Sequence, residues 1–358
     1  MEQDRIRIAI IGAGGIAGPY ARDAAKYPQI QLVGVTDLDA ERAQTLGDES
    51  QCRVYPDLDA LLGDESVDLA VNLTTHHAHR AVITQCLEAG KHVYSEKPLA
   101  LTPEEARGLV ELADQRGLRL GCSPFTWMGE AQQTAWKEIR EGRLGTVRVA
   151  YAEVDWGRIE TWHPNPGSFY EVGALWDVGV YPLTLLTTIF GPARSVSAFG
   201  KLLHPNRVTK RGVPFTIETP DWVVSAIEFE DGPLVRLTTN FYVSQRSTRQ
   251  TGIEFHGDEG SLHLESWLEP SAAVYYGAFD KPFEPVPLLK EGPEGVRWAR
   301  GVLEMAEAML ENRPHRVTGA QAAHVVEILA AITEAMQSNQ TVPVTSSFTQ
   351  PSPMEWAR

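Results

Sequence analysis

A glycine-rich turn near the N-terminus restricts the possible folds more than any other feature of the chain. Residues 5–11 read RIRIAII, which is typical of a central parallel strand covered on both faces. The next residues, GAGGIAG, contain the pattern GxGxxA, and a helical stretch follows over residues 17–26. A strand, a tight glycine turn and a helix in this order predict the start of a doubly wound parallel sheet that binds a dinucleotide.

The small residues of this turn have separate predicted roles. Gly12 allows the tight turn, Gly14 lets a pyrophosphate approach the backbone, and Ala17 permits close packing of the helix on the sheet. The N-terminus of the helix then holds the phosphates through its free N–H groups. The predicted cofactor contacts in this segment are Gly12, Gly14, Gly15, Ile16 and Ala17.

A carboxylate at the end of the second predicted strand indicates which dinucleotide is bound. Residues 30–36, IQLVGVT, form an apolar run that ends at Asp37, about twenty residues after Ala17. A carboxylate there accepts hydrogen bonds from the adenosine ribose and repels a 2′-phosphate. The sequence therefore favours NAD over NADP, with Asp37 and Leu38 as contacts. The alternative is that Asp37 caps the next helix, but Asp39 is better placed for that role.

Strands and helices continue to alternate, which predicts a Rossmann domain over residues 1–123. The junction that follows the strand at residues 67–73 carries Thr74, Thr75 and His79, and we expect these three to flank the cofactor. Three histidines occur in this junction. Because no carboxylate or cysteine accompanies them at ligand spacing, no metal site is predicted.

The segment KHVYSEKPL, residues 91–99, contains the first candidate for catalysis. A short apolar strand delivers Glu96 and Lys97 to its carboxyl end, where open α/β sheets bind their ligands. We predict that Glu96 and Lys97 contact the cofactor and that Lys97 also contacts the substrate and takes part in catalysis. The alternative is an ordinary Lys-Pro surface turn.

The character of the sequence changes after residue 123. Further predicted strands are paired through short turns, which predicts an α+β domain with a large open, mainly antiparallel sheet over residues 124–345. The segments 205–220 and 266–297 are rich in proline and glycine and are expected to leave the sheet. Residues 346–358 are expected to form a C-terminal tail that reaches a neighbouring molecule through Trp356.

The second domain carries a further pair of candidate catalytic residues. Asp177 and Tyr181 are four residues apart, so on a helix they share one face and both can point at one ligand. Pro182 has no N–H, which predicts that the helix begins or bends close to it. We predict that Asp177 and Tyr181 bind the substrate and act in catalysis. The alternative is that both side chains are buried and satisfy each other's hydrogen-bonding groups.

Aromatic residues precede this pair in a proline-rich loop. Aromatic faces suit the C–H surfaces of sugars, and an imidazole can hydrogen-bond a hydroxyl group. The predicted substrate contacts here are Trp162, His163 and Tyr170. The alternative is a packed loop that contacts no ligand.

Composition excludes several classes of partner. The formal net charge is −15, and no cluster of basic residues is dense enough for nucleic acid or an anionic membrane. The three cysteines form no CxxC motif, and the N-terminus has no signal-peptide pattern, so a cytoplasmic protein is expected. Residues 172–190 are mainly apolar, but Asp177 and Pro182 interrupt them, so they are interpreted as a buried helix.

Three segments together resemble the Gfo/Idh/MocA family of pyridine-nucleotide oxidoreductases. They are RIAIIGAGGIA, AGKHVYSEKPLA and GALWDVGVY, and the stretch RPHRVTGAQAAHVVEILAAITEAMQSNQTVPV is similar to the closing helix of the family. The resemblance implies a Rossmann domain, a second domain with an open sheet, a site between them, and sugars, polyols or related compounds as substrates. It matches Lys97 to the EKP lysine and Asp177 to the aspartate of a DxGxH motif.

Two departures from the family pattern affect the expected chemistry. The residue that is usually histidine in the DxGxH motif is Tyr181 here, and the glycine triplet before the motif is reduced to Val172-Gly173-Ala174. A tyrosine has a reference pKa of about 10, and a nearby ammonium favours its phenolate. We therefore expect a proton relay between Tyr181 and Lys97, with Asp177 as the positioning group. His163 is the alternative base.

Three functions are consistent with this pattern. The first is an NAD-dependent dehydrogenase or reductase of a secondary alcohol in a sugar, cyclitol or polyol. The second, by family analogy, is a glycosidase that retains its NAD, oxidises a ring carbon transiently and eliminates the aglycone. The third is a non-catalytic regulator that senses NAD. The family analogy also implies a homo-oligomer, a dimer or a tetramer, formed through the C-terminal sheet.

Overall fold

The structure, a computed structural model, describes residues 4–358 and divides into two compact units. The first unit contains the chain up to Phe125 together with Arg297–Val326, and the second contains Thr126–Val296 together with Glu327–Arg358. This division differs from the predicted domains by two residues at the first boundary, by including the predicted tail in the second unit, and by one large segment. The segment Arg297–Val326, which was predicted to belong to the second domain, returns to the first unit.

The first unit is built on a six-stranded parallel sheet in the order β3-β2-β1-β4-β5-β6. Its strands are β1 (Ile6–Ile11), β2 (Ile30–Thr36), β3 (Arg53–Val54), β4 (Leu69–Asn72), β5 (His92–Ser95) and β6 (Leu120–Cys122). Its helices before residue 125 are α1 (Ala17–Ala24), α2 (Ala40–Ser50), α3 (Leu58–Leu62), α4 (His79–Glu88) and α5 (Pro103–Arg116). The predicted Rossmann domain is confirmed.

Strand order reverses between β1 and β4, which makes the carboxyl ends of these strands the expected place for a ligand. The strands there are mainly apolar on both faces because helices cover the sheet on both sides: Ala9, Leu69 and Val71 are almost completely buried. A ligand at this point would therefore contact the loops that follow the strands, and the buried strands support those loops.

The second unit contains a nine-stranded sheet and a separate two-stranded hairpin. Its strands are β7 (Val147–Asp155), β8 (Ala193–Lys201), β9 (Asn206–Val208), β10 (Pro214–Thr216), β11 (Trp222–Phe229), β12 (Leu234–Asn240), β13 (Ile253–Gly257), β14 (Gly260–Leu264), β15 (Val274–Ala278), β16 (Glu284–Val286) and β17 (Val342–Pro343). Its helices before residue 297 are α6 (Glu130–Arg140), α7 (Gly167–Ala174) and α8 (Val180–Phe190).

The large sheet has the order β16-β15-β14-β13-β7-β12-β11-β8-β17. Only β7 and β12 pair in parallel, so the sheet is mainly antiparallel and the predicted fold class is confirmed. The expected excursion over residues 205–220 forms the hairpin of β9 and β10. The expectation for residues 266–297 is wrong in part, because β15 and β16 continue the large sheet to its edge.

The apolar stretch around Asp177 lies inside the second unit. Residues Gly167–Phe190 are long and apolar enough to cross a membrane, but 78% of the apolar window is buried within the fold. The stretch is also not one straight helix, because Gly173 has φ 78° and ψ 168° and a π-helical turn, Leu175–Gly179, separates α7 from α8. It is therefore a core element, as predicted.

Two helices follow near the C-terminus, α9 (Arg300–Leu310) in the first unit and α10 (Gly319–Ser338), within which the chain passes to the second unit. The tail beyond residue 346 packs on its own chain. Gln350 donates to the backbone oxygens of Thr188 and Ile189, and Arg140 of α6 donates to the oxygen of Ala357. Trp356, expected to reach a neighbour, lies 5.6 Å from the ammonium of Lys290 of the same chain.

Candidate active site

The glycine turn connects β1 to α1 at the point where strand order reverses. Gly12 has φ +97°, and a Cβ on it would lie 2.9 Å from the backbone of Leu73 and Thr74, so only glycine fits there. A Cβ placed on Gly14 or Gly15 would have no neighbouring atom within 4 Å. The space over these two residues is therefore open, and the unpaired N–H groups at the start of α1 border it.

Asp37 is held against this turn. Its carboxylate accepts a hydrogen bond from Ala13 N at 2.6 Å and another from Asp39 N at 2.7 Å. Asp39, not Asp37, caps α2, because the Asp39 carboxylate accepts from the backbone N–H groups of Glu41 and Arg42. Asp37 is thus oriented at the edge of the open space, and the side chain of Leu38 beside it is fully exposed.

The junction of β4 and α4 brings Thr74 and His79 together, but His79 points inward. Its ring is 1% exposed, with Nδ1 2.7 Å from the oxygen of Pro98 and Nε2 3.1 Å from the oxygen of Thr74. Burial lowers the pKa of this imidazole. The ring therefore ties the turn after β5 to the junction after β4, whereas we predicted a direct cofactor contact. Thr75, also predicted, lies at the surface of this junction.

Glu96, in the turn after β5, is fixed by a group of hydroxyls that sequence reasoning missed. Its Oε1 accepts from the hydroxyl of Tyr20 at 2.6 Å and from Ser123 at 3.1 Å, and its Oε2 accepts from Lys97 N at 3.2 Å. The hydroxyls of Tyr94 and Ser123 lie 2.9 Å apart. Burial, followed by the nearby charge of Glu96, raises the pKa of Tyr20, so this phenol stays neutral and donates.

The chain segment that returns to the first unit also supports this turn. The ring of Trp298 lies 6.2 Å from the ring of Tyr20 and 6.3 Å from that of Phe125. The backbone N–H of Ala299 donates to Asp23 of α1 at 3.0 Å, which fixes the segment on the helix. The returning segment therefore packs against α1, and Tyr20 of α1 bonds Glu96 in the turn that carries Lys97.

We expect the change Tyr20→Phe to lower the free energy of unfolding of the first unit by about 1.5–3 kcal/mol, because it removes a hydrogen bond to a charged acceptor. Urea denaturation measures this loss. The matched control is Tyr27→Phe, since the Tyr27 hydroxyl makes a longer contact, 3.4 Å, with Asp23. Equal losses in the two variants would contradict the role assigned to Tyr20.

Asp177 and Tyr181 lie in the second unit, and both are half-buried. Asp177 belongs to the π-helical turn and Tyr181 to the first turn of α8. Pro182 is the third residue of α8 and follows shortly after the π-helical turn, so the helix is irregular close to Pro182, as its missing N–H predicts. The Tyr181 ring lies 5.5 Å from the ring of Trp267, which donates to the oxygen of Glu153 of β7. The sheet therefore fixes one side of Tyr181.

The loop before α7 contains an aromatic cluster of Trp162, His163 and Phe169. The three rings make edge contacts with centroids 4.8–5.8 Å apart, and Trp162 is 36% exposed. His163 Nδ1 contacts the backbone of Asn165, at 2.9 Å from its oxygen. Two of the predicted substrate contacts, Trp162 and His163, thus lie side by side in one surface loop.

Tyr170, the third predicted contact in this region, is 4% exposed and belongs to a buried ionic cluster instead. Its hydroxyl donates to Glu160 and accepts from Arg207 at 2.7 Å. Arg207 also pairs with Asp221 at 2.6 Å, and neither of these two side chains is exposed. The cluster connects β9 to the segment that carries the aromatic cluster, so Tyr170 supports the loop from beneath.

Comparisons with known proteins match both parts of the chain to one family. Residues 6–123 match the GFO_IDH_MocA model, described as an oxidoreductase family with an NAD-binding Rossmann fold, and residues 132–263 match the GFO/IDH/MocA C-terminal domain. The chain is 29% identical to 1,5-anhydro-D-fructose reductase of Ensifer adhaerens, over 72% of this chain and 74% of that protein.

Two further matches extend the comparison. The chain is 28% identical to D-glucoside 3-dehydrogenase of Escherichia coli, over 74% of this chain and 78% of that protein. The crystal structure of an NAD binding oxidoreductase from Klebsiella pneumoniae superposes with a TM-score of 0.84 at 21% identity, over 96% of this chain and 100% of the other. The latter match establishes the fold.

Proposed function

Because this chain belongs to the GFO/IDH/MocA family of NAD-binding oxidoreductases, we propose that it is an NAD-dependent dehydrogenase or reductase of a sugar, cyclitol or related polyol. One observation in the first unit supports this most directly. The glycine turn, Asp37 and the Glu96–Lys97 turn follow β1, β2 and β5, and these strands end at the same edge of one parallel sheet. Ligands of such sheets bind beyond that edge.

The residues present fit a nicotinamide dinucleotide. The open space over Gly14 and Gly15 and the start of α1 suit the pyrophosphate, and the fixed carboxylate of Asp37 suits the adenosine ribose. A 2′-phosphate on that ribose meets a negative charge at Asp37, so NAD is the proposed cofactor. Bound NAD supplies the hydride acceptor for the oxidation of an alcohol.

The proposed proton chemistry involves Lys97, Asp177 and Tyr181 acting on the same substrate. In the oxidation direction, the Tyr181 phenolate accepts the hydroxyl proton while the carbon loses its hydride, and the C–O bond becomes a carbonyl. The Lys97 ammonium stabilises the phenolate, because a nearby positive charge favours the ionised form of tyrosine. Asp177 accepts a hydrogen bond from a substrate hydroxyl or from Lys97 and so fixes the alignment.

The aromatic cluster is the proposed contact surface for the sugar. Trp162 and Phe169 present ring faces that suit sugar C–H groups, and His163 suits a hydroxyl. The two relatives described above are a reductase of an anhydrofructose and a dehydrogenase of glucosides, which supports a carbohydrate as the substrate.

A screen of the purified protein against aldoses, cyclitols and glycosides, with NAD and NADP, tests the function. We expect nicotinamide absorbance at 340 nm to change with at least one sugar-like alcohol and to change faster with NAD. Sugar release from a nitrophenyl glycoside without net NADH would favour the NAD-retaining glycosidase instead. Binding of NAD without turnover of any compound would favour the regulator that senses NAD.

We expect Tyr181→Phe to lower kcat of alcohol oxidation about 10²–10⁴-fold and to remove the fall in kcat towards low pH, because the phenolate is the group that accepts the proton. The matched comparison is His163→Ala, which we expect to raise KM with little change in kcat, since His163 contacts substrate in the ground state. The reverse result, a large fall in kcat for His163→Ala and none for Tyr181→Phe, would transfer the proton-transfer role to His163.

We also propose a cytoplasmic homo-oligomer, a dimer or a tetramer, formed through the face of the nine-stranded sheet that no helix of the second unit covers. This face presents Phe199 and Leu234, which are 57% and 51% exposed, beside the paired side chains of Arg236 and Glu153. Exposed apolar side chains rimmed by charge are typical of interfaces. Sedimentation velocity measures the assembly state.

A further inference from the structure

Two histidines and a glutamate meet on the uncovered face of the nine-stranded sheet. Glu254 and His256 are two residues apart on β13, and His263 of β14 lies directly opposite Glu254 in the antiparallel register. Tyr151 of β7 is opposite both Glu254 and Arg236, so the group lies on the face that carries Arg236. Opposite residues have Cβ atoms about 4.5–5.5 Å apart, which lets the three side chains converge.

Each imidazole turns one ring nitrogen towards the Glu254 carboxylate. His256 Nε2 lies 3.7 Å from Oε2, and His263 Nδ1 lies 3.9 Å from Oε1. Both nitrogen atoms are buried, and within residues 4–358 neither has a hydrogen-bond partner. A buried polar atom without a partner is unfavourable, so the two nitrogens indicate a ligand that binds between them and the carboxylate.

The two rings are oriented by their neighbours on the same face. His256 Nδ1 lies 2.8 Å from Oγ of Ser261, the residue opposite it on β14. The ring of His263 stacks on that of Tyr275, with centroids 6.2 Å apart and an interplanar angle of 23°. Burial lowers the pKa of His263, so its imidazole is neutral at pH 7 and keeps a lone pair. A ring fixed through its second nitrogen, as in His256, is typical of metal-ligating histidines.

The charges around this group favour a cation. Glu254 carries one negative charge, and the negative charge of Glu265 also acts on His263. Arg249 opposes them, because its Nη1 lies 3.1 Å from Oε2 of Glu254. The Arg249 side chain is 56% exposed, so this ion pair is weak and the guanidinium can leave the carboxylate.

We propose that His256, His263 and Glu254 form a binding site for a divalent transition metal, Zn²⁺. Two imidazoles and a carboxylate are ligands that zinc prefers, whereas Ca²⁺ and Mg²⁺ prefer oxygen atoms alone. Zinc bonds of about 2.0–2.2 Å place neighbouring ligand atoms about 3.3–3.6 Å apart, so a small rotation of each ring closes the site. Because the two nitrogens face different oxygens, the carboxylate binds through both. The inference is independent of the proposed function, since these three residues lie outside the proposed active site.

Calorimetric titration of the chelator-treated protein with zinc chloride tests the site. We expect one ion per chain, and a dissociation constant at least about tenfold higher for His263→Ala and for Glu254→Gln. The matched control is His204→Ala. It removes a half-buried imidazole elsewhere in the second unit, 6.3 Å from the ring of Tyr242, and should leave the constant unchanged.

A variant with the opposite effect strengthens the test. Arg249→Gln removes the competing cation and should bind zinc about two- to fivefold more tightly than the unmodified protein. Cobalt(II) provides a second measurement, because its visible absorption spectrum depends on its ligands. We expect a spectrum of bound cobalt in the unmodified protein and in His204→Ala, and its loss in His263→Ala.

Failure of the folded, unmodified protein to bind zinc would overturn the inference. Zinc binding that His263→Ala and Glu254→Gln leave unchanged would also overturn it, because the ion is then held elsewhere. Circular dichroism shows whether each variant is folded. Were His263→Ala to unfold, Glu254→Gln and Arg249→Gln would decide, since the first must weaken zinc binding and the second must strengthen it.

Discussion

Replacement of Lys97 by methionine is expected to reduce kcat about 10³-fold. Methionine keeps an unbranched chain of similar length but has no ammonium, so the positive charge proposed to stabilise the Tyr181 phenolate disappears. Lys97 is half-buried in the turn after β5, where Glu96 accepts a hydrogen bond from the Lys97 N–H. Because solvent screens a half-buried charge less than an exposed one, loss of this charge should have a large effect. The measurement is kcat on the best substrate from the sugar screen.

Two variants control for other effects of this change. Lys97→Arg keeps the charge and should retain more activity than Lys97→Met, although its planar head changes the geometry. Lys281→Met removes an exposed lysine in the turn before β16 and should leave kcat unchanged. If Lys97→Met retained kcat within about threefold of the unmodified protein, the proton relay would be excluded.

Replacement of Arg207 by methionine is expected to cost the second unit about 3–5 kcal/mol of stability, because it leaves the buried carboxylates of Glu160 and Asp221 without their positively charged partner. The Arg207 side chain is not exposed at all, and it donates to Glu160 at 3.0 Å and to the backbone oxygen of His204 at 3.0 Å. For a unit of this size the melting temperature should fall on the order of 10 °C. Thermal unfolding followed by circular dichroism measures it.

The matched control is Arg148→Met in the same unit. Arg148 pairs with Asp258, and 64% of its side chain is exposed, so the pair should contribute at most about 1 kcal/mol. A melting temperature of Arg207→Met no lower than that of Arg148→Met would show that the buried cluster does not stabilise the unit.

The parts of the candidate site that follow from local sequence were predictable. Gly12, Ala17 and Asp37 lie in a strand–turn–helix–strand segment of fewer than forty residues, where hydrophobic periodicity and glycine spacing act over short distances. Asp39 as the cap of α2 was predictable for the same reason, since a cap bonds groups two or three residues away. The spacing that puts Asp177 and Tyr181 in one helical segment is equally local.

The groups that hold these residues were not predictable. Tyr20 is 76 residues from Glu96 and 103 from Ser123, and no pattern in the sequence relates residues so far apart. His79 looked like a loop histidine beside the cofactor, but the turn after β5 covers it and takes up both of its ring nitrogens. Arg207 lies in a glycine- and proline-rich segment, where an arginine is normally expected to be exposed.

The sequence by itself determined the fold class, the glycine turn after β1, the carboxylate of Asp37 at the end of β2 and the elements that carry Lys97, Asp177 and Tyr181, because each depends on short-range periodicity, turns and caps. Only the tertiary structure decided that Arg297–Val326 returns to the first unit, that Tyr20 and Ser123 fix Glu96, that Tyr170 and Arg207 form a buried ionic cluster, and that His256 and His263 both face Glu254. The physical reason is that burial and the pairing of distant polar groups arise only when separate segments pack together, since desolvation then makes each buried polar group require a partner.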